Sequence, residues 1–248
     1  LLSRRQRQMC IRDRHEDVFT PGLDGARLHA RLYRVPNAHA TVILCHGYHS
    51  RAEHDFGAQF PALYASGGCN LLLIDERAHG LSEGKCLTFG QLERYDIAQW
   101  VHWVREHSRV QRPIALYGVS MGAATVLMAS GETLPENVKA VIADCGYTSE
   151  WDEFIWEAKT LHIPWFPVLN AASLLSKLRD GYDFKQASAL DQVKKSRIPT
   201  LFIHGSEDEL VPYKMLGELY LAAACEKEKL TVEGAGHALS SSVDPELY

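Results

Sequence analysis

Residues 114–130, with the sequence IALYGVSMGAATVLMAS, carry the strongest structural signal in the chain. The segment begins with a short apolar run typical of a buried strand, and Met121–Ser130 is small and apolar throughout, as in a buried helix. Between the two, Gly118-Val119-Ser120-Met121-Gly122 matches the pattern G-x-S-x-G. Where a strand passes into a helix, this pattern predicts a sharp turn that presents the Ser120 hydroxyl in a cleft. The alternative is a glycine-rich turn in which Ser120 only caps the helix.

Other apolar runs along the chain have the same character. They are continuous rather than alternating, which is typical of strands buried on both faces of a parallel sheet. These runs are Thr41–Cys45, Asn70–Asp75, Val138–Asp144, Thr200–His204 and Lys229–Glu233. Helical patterns such as Phe89–His107 lie between them, and Val18–Val35 predicts an antiparallel hairpin that turns at Asp24-Gly25. The alternation predicts an α/β protein with a mostly parallel, doubly wound sheet.

The interval 147–197 interrupts this alternation, because it has no convincing strand and is rich in aromatic residues. One interpretation is a helical cap that lines a substrate pocket. The other is a set of ordinary amphipathic helices that cover the core. Under the first interpretation, five aromatic residues are candidates for substrate binding: Trp151, Phe154, Trp156, Trp165 and Phe166.

A serine hydroxyl needs a base to become nucleophilic, and the base needs an acid to orient it. His237 follows the last predicted strand and Asp208 follows the strand before it, so both lie where open α/β sheets place their sites. The order Ser120, Asp208, His237 is the one expected for a serine on a strand-to-helix turn. A plain surface histidine is the alternative for His237. Three further carboxylates compete for the acid role: Glu207, Glu209 and Asp144.

Two backbone amides are candidates for stabilising an oxyanion. The N–H of Met121 lies at a helix N-terminus, and the loop after an early strand offers the N–H of Tyr48. The same loop region contains possible metal ligands, but their spacing matches no metal-site pattern. These residues are His46, His49, His54 and Asp55. We therefore predict no metal and no cofactor, and we expect His46 to order the loop.

Taken together, these segments resemble the α/β-hydrolase superfamily over residues 16–248. The resemblance rests on the His46-Gly47 loop, the segment Asp75-Glu76-Arg77-Ala78-His79-Gly80-Leu81-Ser82, the Ser120 turn, the Asp208 loop and His237. Within the superfamily, the chain looks like bacterial serine aminopeptidase-like or esterase-like hydrolases with a helical cap between strands 6 and 7. The resemblance implies structural roles for Asp75, Arg77 and Ser82. Ala78 stands where glycine is usual, which affects only the local geometry of the loop.

The resemblance also implies a final helix after the histidine loop, and we expect this helix to be missing because the chain ends at Tyr248. The expected reaction is acyl transfer through an acyl-enzyme, with a small carboxylic ester as substrate. Peptidase and thioesterase activities stay open, since they use the same three side chains. A non-catalytic binding protein on a hydrolase scaffold is the alternative of another class, and the presence of Ser120, Asp208 and His237 argues against it.

Charge and composition limit the remaining classes of function. The chain has 248 residues and a formal net charge of −5, and it lacks both the basic balance of a nucleic-acid-binding protein and an apolar run of about 18 residues that could span a bilayer. Residues 4–13 back-translate to CGT CGG CAG CGT CAG ATG TGT ATA AGA GAC, which resembles a transposon adaptor used for sequencing libraries. We therefore predict that residues 1–14 are non-native and come from an assembly of metagenomic reads, and whether a signal or anchor preceded residue 15 stays open.

Residues 1–14 contain five arginines and one aspartate, so the predicted hydrolase domain, residues 15–248, has a net charge of −9. Its cysteines are odd in number and widely spaced: Cys45, Cys69, Cys86, Cys145 and Cys225. Reduced thiols are therefore expected, which favours a reducing compartment such as the cytoplasm. We expect no nucleic-acid partner and no membrane segment in residues 15–248, and the sequence gives no prediction of the oligomeric state.

Overall fold

The computed structural model describes residues 15–66 and 68–248. Their centre is an eight-stranded sheet with the strand order β1-β2-β4-β3-β5-β6-β7-β8. The strands are β1 Glu16–Pro21, β2 Arg27–Tyr33, β3 Ala40–Cys45, β4 Cys69–Asp75, β5 Ile114–Val119, β6 Val138–Asp144, β7 Thr200–Gly205 and β8 Lys227–Val232. The β1–β2 hairpin and the β2–β4 pair are antiparallel, and the other pairs are parallel. The predicted fold class is confirmed, while the hypothesis on residues 1–14 lies outside the described residues.

Helices pack on both faces of the sheet. They are α1 Ala52–Asp55, α2 Glu93–Glu106, α3 Met121–Ser130, α4 Glu150–Thr160, α5 Trp165–Asp180, α6 Ala189–Val193, α7 Lys214–Ala222 and α8 Ser240–Val243, with a π-helical turn at Ala62–Ser66 and a 3₁₀ turn at Phe184–Gln186. Along β3, Ile43 packs in the core that contains α2 and α3, whereas Val42 and Leu44 pack with Phe56 on the opposite face. Because successive residues enter two different cores, the strand reads as a continuous apolar run.

Two predicted boundaries are wrong. The helix expected from Phe89 begins only at Glu93, because Phe89 and Gly90 have positive φ angles of 48° and 101°. The Glu93 carboxylate accepts hydrogen bonds from the Thr88 amide, at 2.9 Å, and from the Thr88 hydroxyl, at 2.6 Å, and these bonds hold the turn before the helix. The last strand is Lys227–Val232 rather than 229–233, since its parallel pairing with β7 begins at Lys227.

Buried polar contacts hold the loop after β4. The Arg77 guanidinium donates to both carboxylate oxygens of Asp96, at 2.7 and 2.8 Å. The Asp75 carboxylate accepts from the Leu81 amide at 2.9 Å, and the Ser82 hydroxyl donates to the Asp75 carbonyl at 2.6 Å. Asp75, Arg77 and Ser82 therefore have the structural contacts that the resemblance implied.

Ala78 lies in this loop at a φ of 58°, the left-handed region in which a Cβ is strained. We expect Ala78→Gly to raise the free energy of unfolding by about 0.5–1 kcal/mol, because relief of this strain exceeds the extra entropy that glycine loses on folding. Urea denaturation at pH 7 measures the change. Ala129→Gly, within α3, is the matched control and should lower stability by about 1 kcal/mol or more. A lower stability for Ala78→Gly would contradict the prediction.

The segment between β6 and β7, residues 145–199, contains α4, α5, the 3₁₀ turn and α6, and we refer to it as the cap. The interval 147–197 that was predicted as a helical insertion lies within it. An isolated bridge between Ser149 and Ser188 ties its two ends together. The Ser149 hydroxyl accepts a hydrogen bond from the Asp152 amide and so caps α4. None of the described helices combines the length and the hydropathy needed to cross a membrane.

Candidate active site

Ser120 lies at the junction of β5 and α3, with φ 56° and ψ −120°. Such a backbone conformation costs a non-glycine residue about 1–3 kcal/mol and is common at functional sites. The flanking glycines are required by close packing. A Cβ at Gly118 would lie 2.1 Å from the carbonyl oxygen of Gly122, and a Cβ at Gly122 would lie 2.2 Å from that of Cys45. The G-x-S-x-G pattern therefore reflects how tightly β3, β5 and α3 meet, and Ser120 stays half-buried at the carboxyl end of the sheet.

The structure brings the three predicted side chains together. His237 Nε2 lies 2.8 Å from Ser120 Oγ, and His237 Nδ1 lies 2.8 Å from Asp208 Oδ2. An ionised carboxylate accepts hydrogen bonds only, so the imidazole proton is on Nδ1 and the free lone pair of Nε2 faces the serine hydroxyl. This is the tautomer in which His237 can take the proton of Ser120.

Asp208 is fixed by four donors. Its Oδ1 accepts from the backbone amides of Leu210, at 3.0 Å, and Val211, at 2.9 Å. Its Oδ2 faces His237 and also lies 3.2 Å from His204 Nε2. Burial by itself raises the pKa of Asp208, but the hydrogen bonds from His204 and His237 outweigh it and hold the pKa at about 2. The carboxylate therefore stays charged at every pH at which His237 can act as a base.

His204 is the contact that the sequence analysis missed. It is the penultimate residue of β7 and lies four residues before Asp208. This short spacing was the only feature of the sequence that could have indicated the contact. Its Nε2 also lies 2.9 Å from the Val211 carbonyl oxygen, so the proton is on Nε2 and is shared between two acceptors. His204 is buried and is the second imidazole donor to Asp208, beside His237.

We expect His204→Ala to lower kcat by about tenfold and the free energy of unfolding by about 1.5–3 kcal/mol, because Asp208 loses a buried hydrogen bond to its charge. His204→Gln, which keeps a side-chain N–H, should recover part of both losses. Ester turnover and urea denaturation at pH 7 measure the two effects.

The depressed pKa of Asp208 also determines how the stability contributed by the His204–Asp208 pair changes with pH. The stability that this pair contributes is complete above the ordinary pKa of about 4 and is lost as the pH falls towards 2.

The competing acids lie elsewhere. Asp144 is buried and accepts hydrogen bonds from the Tyr248 hydroxyl, at 2.8 Å, and from Ser240, at 3.4 Å. Both neighbours of Asp208 are exposed. The backbone amide of Glu207 donates to the Ala235 carbonyl, which ties the Asp208 loop to the loop that carries His237.

The loop after β3 lies against Ser120. A Cβ built on Gly47 would lie 3.3 Å from Ser120 Cβ, and the Gly47 amide donates to Asp55 Oδ2 at 2.7 Å. His46 Nδ1 donates to the Gly47 carbonyl at 2.8 Å, so His46 orders this loop as expected. The candidate oxyanion donors are the amides of Tyr48, the residue after Gly47, and of Met121, the residue after Ser120, and neither amide donates to an acceptor within the part of the chain that the structure describes.

A family model for the alpha/beta hydrolase fold matches residues 40–160, which include β3, the Ser120 turn and the first helix of the cap. The chain has the α/β-hydrolase fold. This α/β hydrolase is 28% identical over 228 residues to the uncharacterized protein YqkD of Bacillus subtilis, covering 92% of this chain and 73% of that protein. It is also 28% identical over 217 residues to alpha/beta hydrolase domain-containing protein 17C of Homo sapiens, covering 86% of this chain and 56% of the relative.

Solved structures share the fold of this α/β hydrolase. The esterase Pf2001 of Pyrococcus furiosus superposes with a TM-score of 0.75 at 25% identity, over 94% of this chain and 86% of the other. Acetyl xylan esterase 1 from Thermoanaerobacterium superposes with a TM-score of 0.68 at 19% identity, over 94% of this chain and 83% of the other. At 19% identity, the similarity to acetyl xylan esterase 1 shows only that the two proteins share a fold.

The predicted cap residues of this α/β hydrolase lie in different surroundings. Phe154 contacts Phe89 edge-on, with ring centroids 5.1 Å apart, and Phe89 stacks on Tyr48 at 5.5 Å. Trp156 Nε1 donates to the Glu209 carbonyl at 2.9 Å. Phe154 therefore connects α4, through Phe89, to the loop that carries Tyr48, and Trp156 connects it to the loop that carries Asp208. Trp151, in the first turn of α4, lies under the Lys185 ammonium. Trp165 and Phe166 lie at the start of α5, with exposed fractions of 38% and 65%.

The histidine loop considered for a metal has other contacts. His54 Nδ1 lies 3.0 Å from Asp55 Oδ1, and His49 stacks on Tyr48. Among the described residues, the group whose donor atoms all lie within 4.8 Å of one another is Cys145, Asp208 and His237. Two of its members, Asp208 and His237, are joined by a hydrogen bond, so a metal there would compete with that bond.

Proposed function

We propose that this α/β hydrolase is a serine hydrolase that cleaves a small carboxylic ester through an acyl-enzyme on Ser120. The observation that carries the proposal is the continuous hydrogen-bonded chain from Ser120 Oγ through His237 to Asp208, with 2.8 Å at both steps. Two distances of this length support the proposal, because a nucleophile, its base and the orienting acid must lie within hydrogen-bond reach of one another. The likeness to the Pyrococcus furiosus esterase supports an ester as the substrate.

In the first half-reaction, Ser120 Oγ attacks the ester carbonyl as its proton passes to His237 Nε2. The amides of Tyr48 and Met121 stabilise the oxyanion, a contribution of about 3 kcal/mol for each donor. The imidazolium, held by Asp208, then gives its proton to the alcohol oxygen as the C–O bond breaks. In the second half-reaction, water loses a proton to His237 and attacks the acyl carbonyl; the imidazolium then gives that proton to Ser120 Oγ as the acyl–Oγ bond breaks, which releases the carboxylic acid and restores the enzyme.

The nucleophile can be tested directly by labelling with a fluorophosphonate, followed by peptide mass spectrometry. We expect the label on Ser120 and hydrolysis of short-chain nitrophenyl esters, with slower turnover of the matching thioester and anilide. An unlabelled Ser120 in a folded protein, with no ester cleaved, would support a non-catalytic binding protein instead.

The proposal also includes a cytoplasmic location, because the free thiols of the described cysteines favour a reducing compartment.

A further inference from the structure

Helix α5 of the cap packs on the protein mainly through small and polar side chains. The residues of this helix that are at least partly buried follow the spacing of one helical face, and they are Leu169, Ala172, Ser173 and Ser176. The Ser173 hydroxyl donates to Asp183 Oδ1 at 3.0 Å and accepts from the Phe184 amide at 3.2 Å. These two bonds tie α5 to the chain that follows it, so the helix is held without burying an apolar stripe.

The apolar stripe of α5 faces outwards instead. It follows the opposite helical face, and we refer to it as the α5 stripe: Val168, Ala171, Leu174, Leu175 and Leu178. Leu175 is 64% exposed and Leu178 is 77% exposed. Leu161, Ile163 and Phe166, at and just before the start of the helix, are exposed as well. Single exposed leucines are common in soluble proteins, but a contiguous apolar surface of this kind marks a place where something binds.

Positive charge surrounds the α5 stripe. Residues 158–179 contain Lys159, Lys177 and Arg179 and no acid, which gives a net charge of +3 within a domain whose net charge is −9. Successive helical residues are about 100° apart, so Lys177 and Arg179 lie on the two opposite sides of Leu178. The stripe therefore has a cation along each edge.

These cations decide which partner fits the α5 stripe. Lys177 and Arg179 form ion pairs with Asp183 and Asp180 at 3.4 Å, but surface pairs of this kind contribute little and leave the cations able to bind other anions. In a symmetric dimer through the stripe, the cations of one copy would face the same cations of the other and repel them. The phosphates of an anionic membrane supply the opposite charge.

We infer that α5 docks on an anionic lipid surface, with the α5 stripe at the boundary of the acyl chains and the flanking cations on the lipid phosphates. Helices with apolar residues on one face and lysine or arginine beside them bind membranes in this way, and the long cationic side chains reach back to the headgroups. The 16 residues of α5 span about 24 Å, less than a hydrocarbon core of about 30 Å, so the helix lies along the membrane surface. The inference goes beyond the proposed function and does not depend on it.

The test measures binding of the purified full chain to vesicles by sedimentation. We expect the partition coefficient to be at least about tenfold higher for phosphatidylcholine vesicles with about 30% phosphatidylglycerol than for phosphatidylcholine alone, and to fall at high salt. The double variant Leu175→Gln/Leu178→Gln should lower binding to the anionic vesicles by at least about tenfold, because two apolar side chains no longer leave water. Leu221→Gln, at an 81% exposed leucine on α7, is the matched control and should bind like the unmodified protein. The basic residues 1–14 are the same in all three proteins, so the difference between them measures the contribution of α5.

A fluorescence measurement locates the contact. The indole introduced by Leu178→Trp should be quenched by vesicles that contain brominated phosphatidylcholine and phosphatidylglycerol, whereas the indole introduced by Leu221→Trp should not. Equal binding of the unmodified protein and the double variant would overturn the inference, and so would equal binding to neutral and anionic vesicles. If the unmodified protein binds no vesicle but forms a dimer that the double variant dissociates, the α5 stripe is a subunit interface and the inference fails.

The proposed function is tested separately in the same proteins. Hydrolysis of a water-soluble nitrophenyl ester without vesicles should have the same rate in the unmodified protein, the double variant and Leu221→Gln, because all the substituted leucines are exposed and outside the triad. Vesicle binding by a protein that cleaves no ester would refute the proposed function and leave the inference standing. Ester cleavage by a protein that binds no anionic vesicle would refute the inference alone.

Discussion

Ser120→Ala is expected to lower kcat on a short-chain nitrophenyl ester by about 10⁴- to 10⁶-fold. The substitution removes the only oxygen within hydrogen-bond distance of His237 Nε2 among the described side chains, and with it the atom that would form the acyl-enzyme. The two amides and the substrate contacts stay in place, so a small residual rate over water should persist. Stopped and continuous assays at high enzyme concentration measure both quantities.

The fold provides the control for this experiment. Alanine at position 120 keeps a Cβ at φ 56°, so the strain of the turn and its packing against Gly47 are unchanged. The melting temperature and the circular dichroism spectrum should therefore match those of the unmodified protein. Turnover at the original rate in such a folded variant would refute Ser120 as the nucleophile and, with it, the proposed mechanism.

The sequence predicted the sheet, and the meeting of Ser120, Asp208 and His237 at one edge of it, because both depend on local patterns. A strand buried on both faces needs a continuous apolar run, and such runs predicted β3 to β7 to within about a residue at each end. The strained turn needs glycine at 118 and 122, since any side chain there would overlap a carbonyl oxygen. Ser120, Asp208 and His237 each follow a strand, so the parallel topology brings them to one edge of the sheet.

Other features depend on individual side-chain contacts, which the pattern of apolar residues does not encode. The start of α2 was misjudged because the bonds from Thr88 to Glu93 hold a non-helical turn there. His204 was missed because its role depends on Asp208 folding back along β7. In the cap, aromatic composition predicted five pocket residues but not their directions. Phe154 contacts Phe89, which stacks on Tyr48, whereas Phe166 is 65% exposed.

Asp208→Asn is expected to lower kcat at pH 7 by about 10⁴-fold, although the amide has nearly the same shape as the carboxylate. The reason lies in the donors around Asp208. Oδ1 accepts from two backbone amides, Leu210 and Val211, so the asparagine must place its carbonyl oxygen there. Its NH₂ group then faces His237 Nδ1, which has to accept rather than donate. The imidazole proton is then on Nε2, the nitrogen that faces Ser120. With its lone pair used in this way, Nε2 cannot accept the proton of the serine hydroxyl.

The same reasoning predicts a pattern across the competing acids. Glu209→Gln should stay within about twofold of the original rate, because only the backbone carbonyl of Glu209 is used, by Trp156. Asp144→Asn is the stricter control, since Asp144 is as buried as Asp208 but is bonded to Tyr248 and Ser240. A loss of kcat in Asp144→Asn as large as in Asp208→Asn, with both proteins folded, would contradict the assignment of the acid. A large loss confined to Asp208→Asn would show that the histidine tautomer, rather than buried charge in general, sets the rate.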